Sequence, residues 1–149
     1  MNRINDVKQF MLAANQTVDT YNEQQAELYL NLIIEEYEEL IEAVNTLKNL
    51  KQKLKDGKIE NNSLTIELLR YYESKIIDAN FDLDWVNTAY LLSKGYNYQK
   101  IWVEGARSNF DKIDPTTGKM NKREDGKVIK PEGWTGPDFL QFVKTDVSL

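Results

Sequence analysis

The sequence predicts an all-α fold: a helical bundle of about four helices, two of them long and central, followed by a loop-rich C-terminal tail. Two observations lead there. Apolar residues recur at helical spacing through the first two thirds of the chain, whereas all three prolines and five of the seven glycines lie from Gly105 onward. A length of 149 residues is that of one domain. We therefore expect a helical body over residues 1–106 and a tail, 107–149, that completes the same domain.

Each element follows from its own spacing. Ile4, Val7, Met11 and Ala14 give a short first helix. Tyr29, Ile33, Tyr37, Leu40, Val44 and Leu47 give a long one from about Glu23 to Leu54, closed by Asp56-Gly57. After Asn61-Asn62-Ser63, with Ser63 as N-cap, Leu69, Tyr72, Ile76, Ala79, Leu83, Val86 and Tyr90 carry a second long helix to Gly95. A shorter helix covers Tyr98 to Ala106. Thr117-Gly118, Asp125-Gly126 and Gly133–Pro137 then mark turns.

Composition narrows the chemistry. There is no cysteine and no histidine, which removes thiolate nucleophiles, Cys/His zinc sites, imidazole bases and any Ser-His-Asp arrangement. Carboxylates, Lys/Arg, hydroxyls and hard cations remain. The net charge of −5 argues against stable nucleic-acid binding. Its distribution is uneven: residues 1–106 hold 17 acidic and 11 basic side chains, and 107–149 hold 7 and 8. No apolar run approaches the ~20 residues of a membrane helix, and Met1–Phe10 lacks a signal-peptide core, so a cytoplasmic protein without membrane association is expected.

The acidic residues sort themselves by helical phase. With Ile33 at zero on the first long helix, the apolar arc runs from roughly 260° to 100°; Glu36 falls near 300°, inside it, and Glu39 near 240°, at its edge. Glu35, Glu38 and Glu42 fall opposite. On the second long helix Asp78 and Asp82 fall between the core stripe and a second apolar arc of Tyr71, Ile77, Phe81, Trp85, Ala89 and Leu92, while Asp84 joins a polar strip. Four gathered carboxylates need neutralising, because two unit charges ~5 Å apart repel by ~3 kcal/mol at an effective dielectric of ~20. A salt-bridged cluster would do this. So would a divalent cation, and all-oxygen ligation selects Mg²⁺, or Mn²⁺, over zinc. A di-iron bundle would require Glu-x-x-His.

The segment Leu32-Ile-Ile-Glu35-Glu36-Tyr-Glu38-Glu39-Leu40 resembles the EExxE signature of the MazG-like all-α nucleoside triphosphate pyrophosphohydrolases. Asp78-Ala-Asn-Phe-Asp82 resembles the acidic motif of that superfamily's next long helix. Ser108-Asn109-Phe110-Asp111-Lys112 and Asp125-Gly126-Lys127-Val128-Ile129-Lys130-Pro131 are similar to the SNxxK and DGKVxKP elements of its small phage and bacterial members. Two departures stand out: Ala79 occupies the glutamate position of the usual ExxD, and the interval from Glu39 to Asp78 is longer than usual.

The resemblance implies Mg²⁺-dependent hydrolysis of an NTP or dNTP to monophosphate and pyrophosphate. It makes Glu36, Glu39, Asp78 and Asp82 metal ligands, with Glu35 as candidate base. Arg107, Asn109, Lys112, Lys127 and Lys130 become phosphate-binding residues, and Trp85 a surface on which a base can stack. The second apolar arc, together with the resemblance, predicts a homodimer or homotetramer. Two other classes compete: an acidic helical interaction protein, which would need its charges outward, and a catalytically weakened nucleotide sensor, suggested by Ala79.

Overall fold

The computed structural model describes residues 3–143. Among these residues there are four α-helices and no strand: α1 (Arg3–Ala13), α2 (Glu23–Lys55), α3 (Ser63–Ser93) and α4 (Tyr98–Phe110), with a 3-10 turn at Leu140–Phe142. The two central helices run 33 and 31 residues, each about 50 Å long. By contacts the chain forms two compact units, Met1–Gly95 and Tyr96–Leu149. The composition break at Ala106 thus lies inside the second unit, where α4 bonds to the tail that follows it.

In the first unit, α2 and α3 make an antiparallel hairpin. At one end the Asn22 N–H donates to the Ser93 carbonyl at 2.8 Å; towards the other, Lys51 pairs with Glu73 at 2.8 Å. Asn22 and Asn62 cap the two helices, their side chains accepting from the Gln25 and Thr65 N–H groups. Ser63 is therefore the first helical residue and not the cap. Gly57 and Gly95, at φ +67° and +70°, end the helices in the left-handed region that glycine tolerates.

The core lies where α1 crosses the open end of the hairpin. Val7 and Met11 of α1 pack with Tyr29 of α2 and with Val86, Ala89 and Leu92 of α3. Val7, Met11, Ala89 and Leu92 are wholly buried, each of the larger three contributing ~2 kcal/mol or more. Gln25 locks this end. Its Nε2 donates to the Thr17 carbonyl at 2.8 Å and to Ser93 Oγ at 2.7 Å, and its Oε1 accepts from the Thr17 N–H at 3.0 Å.

Helical phase misplaces some residues. Ala89 and Leu92, expected on a second arc, belong to the core because α1 covers them; Ile77 and Phe81 of that arc stay exposed, Phe81 at the rim of a groove with Arg3 and Asp6 of α1. Tyr37, expected in the core stripe, is exposed as well, with Leu30, Ile34 and Ile41 beside it on α2. Those four repeat at spacings of four, three and four, and form a second apolar stripe.

In the second unit, α4 runs to Phe110, four residues past the expected end. Arg107 accounts for the extension, pairing one turn back with Glu104 and one turn forward with Asp111. The tail folds through turns where the sequence places them. Asp114 Oδ1 accepts from the Thr116 and Thr117 N–H groups. An Asp125-Gly126 turn brings the Arg123 N–H to the Lys127 carbonyl at 2.9 Å.

Candidate functional site

Two groups of predicted site residues have to be placed, one in each unit. The carboxylates of the first unit occupy the α2–α3 hairpin. Glu36 and Asp82 are half-buried, whereas Glu35, Glu39 and Asp78 are exposed. Glu36 is the electrostatic centre of the set. Burial, and then the charges of Asp82, Glu39, Glu35 and Asp78, push its carboxyl above the usual range. The residues picked from two helices by phase and by resemblance thus act on a single group.

Their side chains do not converge. Among the described residues, no three acidic groups are arranged to hold a metal ion. The donor set is nonetheless that of a hard cation, being oxygen only. Lys75, which the sequence analysis passed over, supplies part of the neutralisation. Its Nζ lies 3.3 Å from Asp78 Oδ2, and Asp78, Tyr71 and Glu39 all favour its charged form. The signal was present three residues before Asp78, at the spacing of a helical ion pair. Lys75 also lines a groove of about 290 Å³ with Glu39, Glu42, Ala43, Tyr71 and Tyr72.

Trp85 stands apart from that groove. It meets Phe10 edge-on at 5.5 Å between ring centroids and Phe81 at 5.7 Å. With Arg3, Asp6, Phe81 and Asp84 it lines an open groove of about 310 Å³. Asp84, assigned to a polar strip, is paired there with Arg3 at 2.6 Å.

In the second unit the five predicted phosphate-binding residues separate by what they touch. Arg107 is occupied by carboxylates: Glu104 at 2.6 Å, then Asp111, with the Gly136 carbonyl also accepting at 3.3 Å. Arg107, followed by the Asp138 N–H, holds the Glu104 carboxyl down to about 2. This is a clamp joining α4 to the segment 136–138. Lys112, Lys127 and Lys130, by contrast, have no carboxylate within ion-pair distance among the described residues.

Lys112 donates to Asn109 Oδ1 at 2.7 Å. Its Nζ lies 5.3 Å from the Trp134 ring centroid, and that of Lys130 lies 4.2 Å from it. Lys127 is exposed at the Asp125-Gly126 turn, its N–H donating to Asp125 Oδ1 at 3.0 Å. Asn109, Lys112 and Lys130 are therefore brought together, around the indole of Trp134. No protein-family model matches the chain, and no curated protein matches it at a significant level.

Proposed function

We propose that the chain is a Mg²⁺-dependent nucleoside triphosphate pyrophosphohydrolase, cleaving an NTP or dNTP to the monophosphate and pyrophosphate. The observation that carries this reading is the raised pKa of half-buried Glu36, caused after burial by Asp82, Glu39, Glu35 and Asp78. Leaving such mutually repelling charges together has a cost, which a bound cation would reverse. Glu36, Glu39, Asp78 and Asp82 would hold the ion; Glu39 and Asp78 are exposed and can change rotamer cheaply. When bound, Mg²⁺ neutralises phosphate oxygens and stabilises the leaving pyrophosphate.

The remaining work falls to the protein's own groups. Glu35 accepts the proton of the water whose oxygen attacks the α-phosphorus, as the bond from that phosphorus to the bridging oxygen breaks. Lys112, Lys127 and Lys130, which pair with no carboxylate among the described residues, take the phosphate charge, and the Asn109 amide donates a hydrogen bond. Arg107 serves by fixing the tail, and Trp85 offers a face to the base.

The active form in this reading is a homodimer or higher homo-oligomer. A second copy would cover apolar side chains left exposed on the hairpin, the stripe of Leu30, Ile34, Tyr37 and Ile41 on α2 or Ile77 and Phe81 on α3, the last two 70% and 60% exposed. Among the described residues no helix is long and apolar enough to cross a membrane, and a cytoplasmic setting is part of the proposal. Incubation with a panel of NTPs and dNTPs tests it. Pyrophosphate release that needs Mg²⁺ or Mn²⁺ and stops in excess EDTA is expected; no release from any member of the panel overturns it.

A further inference from the structure

The indole of Trp134 is fixed from two sides. Its Nε1–H donates to the Ser108 carbonyl, at 2.7 Å, on the last turn of α4, and its backbone N–H closes a turn onto the Pro131 carbonyl at 3.1 Å. Gly133, at φ +75°, gives that turn its left-handed step. The ring therefore cannot follow a ligand. What meets it are the two cations, Lys112 from the end of α4 and Lys130 from the residue before Pro131. Each lies within reach of the π-face attraction.

Lys94 also lies over an aromatic ring, that of Tyr21, at 4.6 Å, but Lys112 and Lys130 share a single neutral ring. Laid end to end, their distances to its centroid put the two ammonium groups less than ~10 Å apart. Like charges so placed repel one another and attract an anion with several charged oxygens. A polyphosphate chain spans that separation and can meet both.

We propose that Trp134 is the positioning platform of a polyphosphate-binding site, holding Lys112 and Lys130 at the spacing of a triphosphate chain while Asn109 orients Lys112. The proposal deepens the triphosphate reading given above by naming the residue that arranges its cations. A tail whose lysines were merely solvated would not depend on the aromatic face.

Calorimetric titration of the full-length, metal-free protein with inorganic tripolyphosphate tests this. Saturable binding is expected. Trp134→Leu should weaken it about tenfold, and the Lys112→Gln/Lys130→Gln double variant at least as much. Trp134→Phe, which keeps a smaller ring face and loses the five-membered ring with its Nε1–H, should recover part of the affinity. No saturable binding by the wild type, or wild-type affinity in Trp134→Leu, overturns the proposal.

Should Trp134→Leu fail to fold, the Trp85→Phe/Trp102→Phe protein decides by fluorescence. Its sole indole should change emission saturably with tripolyphosphate, and an unchanged spectrum refutes the platform. The two readings fail separately. A chain that binds tripolyphosphate through Trp134 but releases no pyrophosphate from any nucleotide keeps the platform and loses the hydrolase. A hydrolase whose KM is unmoved by Trp134→Leu does the reverse.

Discussion

Glu36→Gln changes one charge and almost no volume, and its effect on stability should depend on whether a divalent cation is present. Without metal, Glu36 is half-buried and works against four neighbouring carboxylates. Each such repulsion is worth ~0.6–2.4 kcal/mol at ~7 Å for dielectrics between 80 and 20. Three of these partners are exposed and screened by solvent, so the amide should stabilise the metal-free protein by a net ~1 kcal/mol, or ~2–4 °C at this chain length. The pH dependence has a definite sign. A carboxyl raised in the folded state binds its proton more readily there than in the unfolded chain. Metal-free wild type should therefore gain stability as pH falls from 7 towards the ordinary value of 4.5, and Glu36→Gln should lose that part of the slope.

Adding Mg²⁺ inverts the comparison. A cation at ~100 times its Kd stabilises by ~2.7 kcal/mol, or ~5–10 °C. A variant binding tenfold more weakly keeps about half of that rise. Differential scanning calorimetry in EDTA and in millimolar Mg²⁺ reads both effects. A wild type indifferent to Mg²⁺, equal increments in the two proteins, or a variant less stable in EDTA would each refute the reasoning.

Further predictions concern the scaffold. Gln25→Leu removes the bonds to the Thr17 backbone groups and to Ser93 Oγ, which keeps its own bond to the Ala89 carbonyl; urea denaturation should show a loss of ~1–3 kcal/mol, and a loss below ~0.5 kcal/mol would mean that water replaces the amide. Phe81→Asp places a charge on the exposed apolar face; sedimentation should shift from an oligomer to a 17.4 kDa monomer, and a wild type that is already monomeric and fully active removes the interface. Glu104→Gln opens the Arg107 clamp. The depressed carboxyl stabilises the tail above pH ~4.5 and ceases to do so as pH falls towards about 2, so proteolysis of residues 111–143 should quicken in the variant at neutral pH and differ little from wild type at the acid limit.

The helices were legible because their signals are local. Asp56-Gly57 and Gly95 stop helices wherever they occur, and the 3.6-residue period survives any tertiary arrangement. Phase alone, however, does not say which of two apolar stripes meets the partner helix. Leu92 went into the core because α1 crosses α3 there, and Tyr37 stayed outside for want of such a crossing. The site was legible in the same partial way. Phase placed Glu36, Glu39, Asp78 and Asp82 all where burial is expected; Glu36 and Asp82 are half-buried, but Glu39 and Asp78 are exposed, where solvent and Lys75 reach them. Trp134 was missed because its importance lies in a turn bringing Lys130 and the end of α4 onto one ring, and no spacing rule encodes that meeting.

The bond that is broken distinguishes a pyrophosphohydrolase from other nucleotide hydrolases most directly. Phosphorus NMR of a nucleoside triphosphate turned over with Mg²⁺ in ¹⁸O-enriched water identifies both the products and the phosphorus attacked. Monophosphate carrying the label, together with unlabelled pyrophosphate and no diphosphate, is the predicted result. Diphosphate with labelled inorganic phosphate, or a wild-type spectrum from Asp82→Asn, would contradict it.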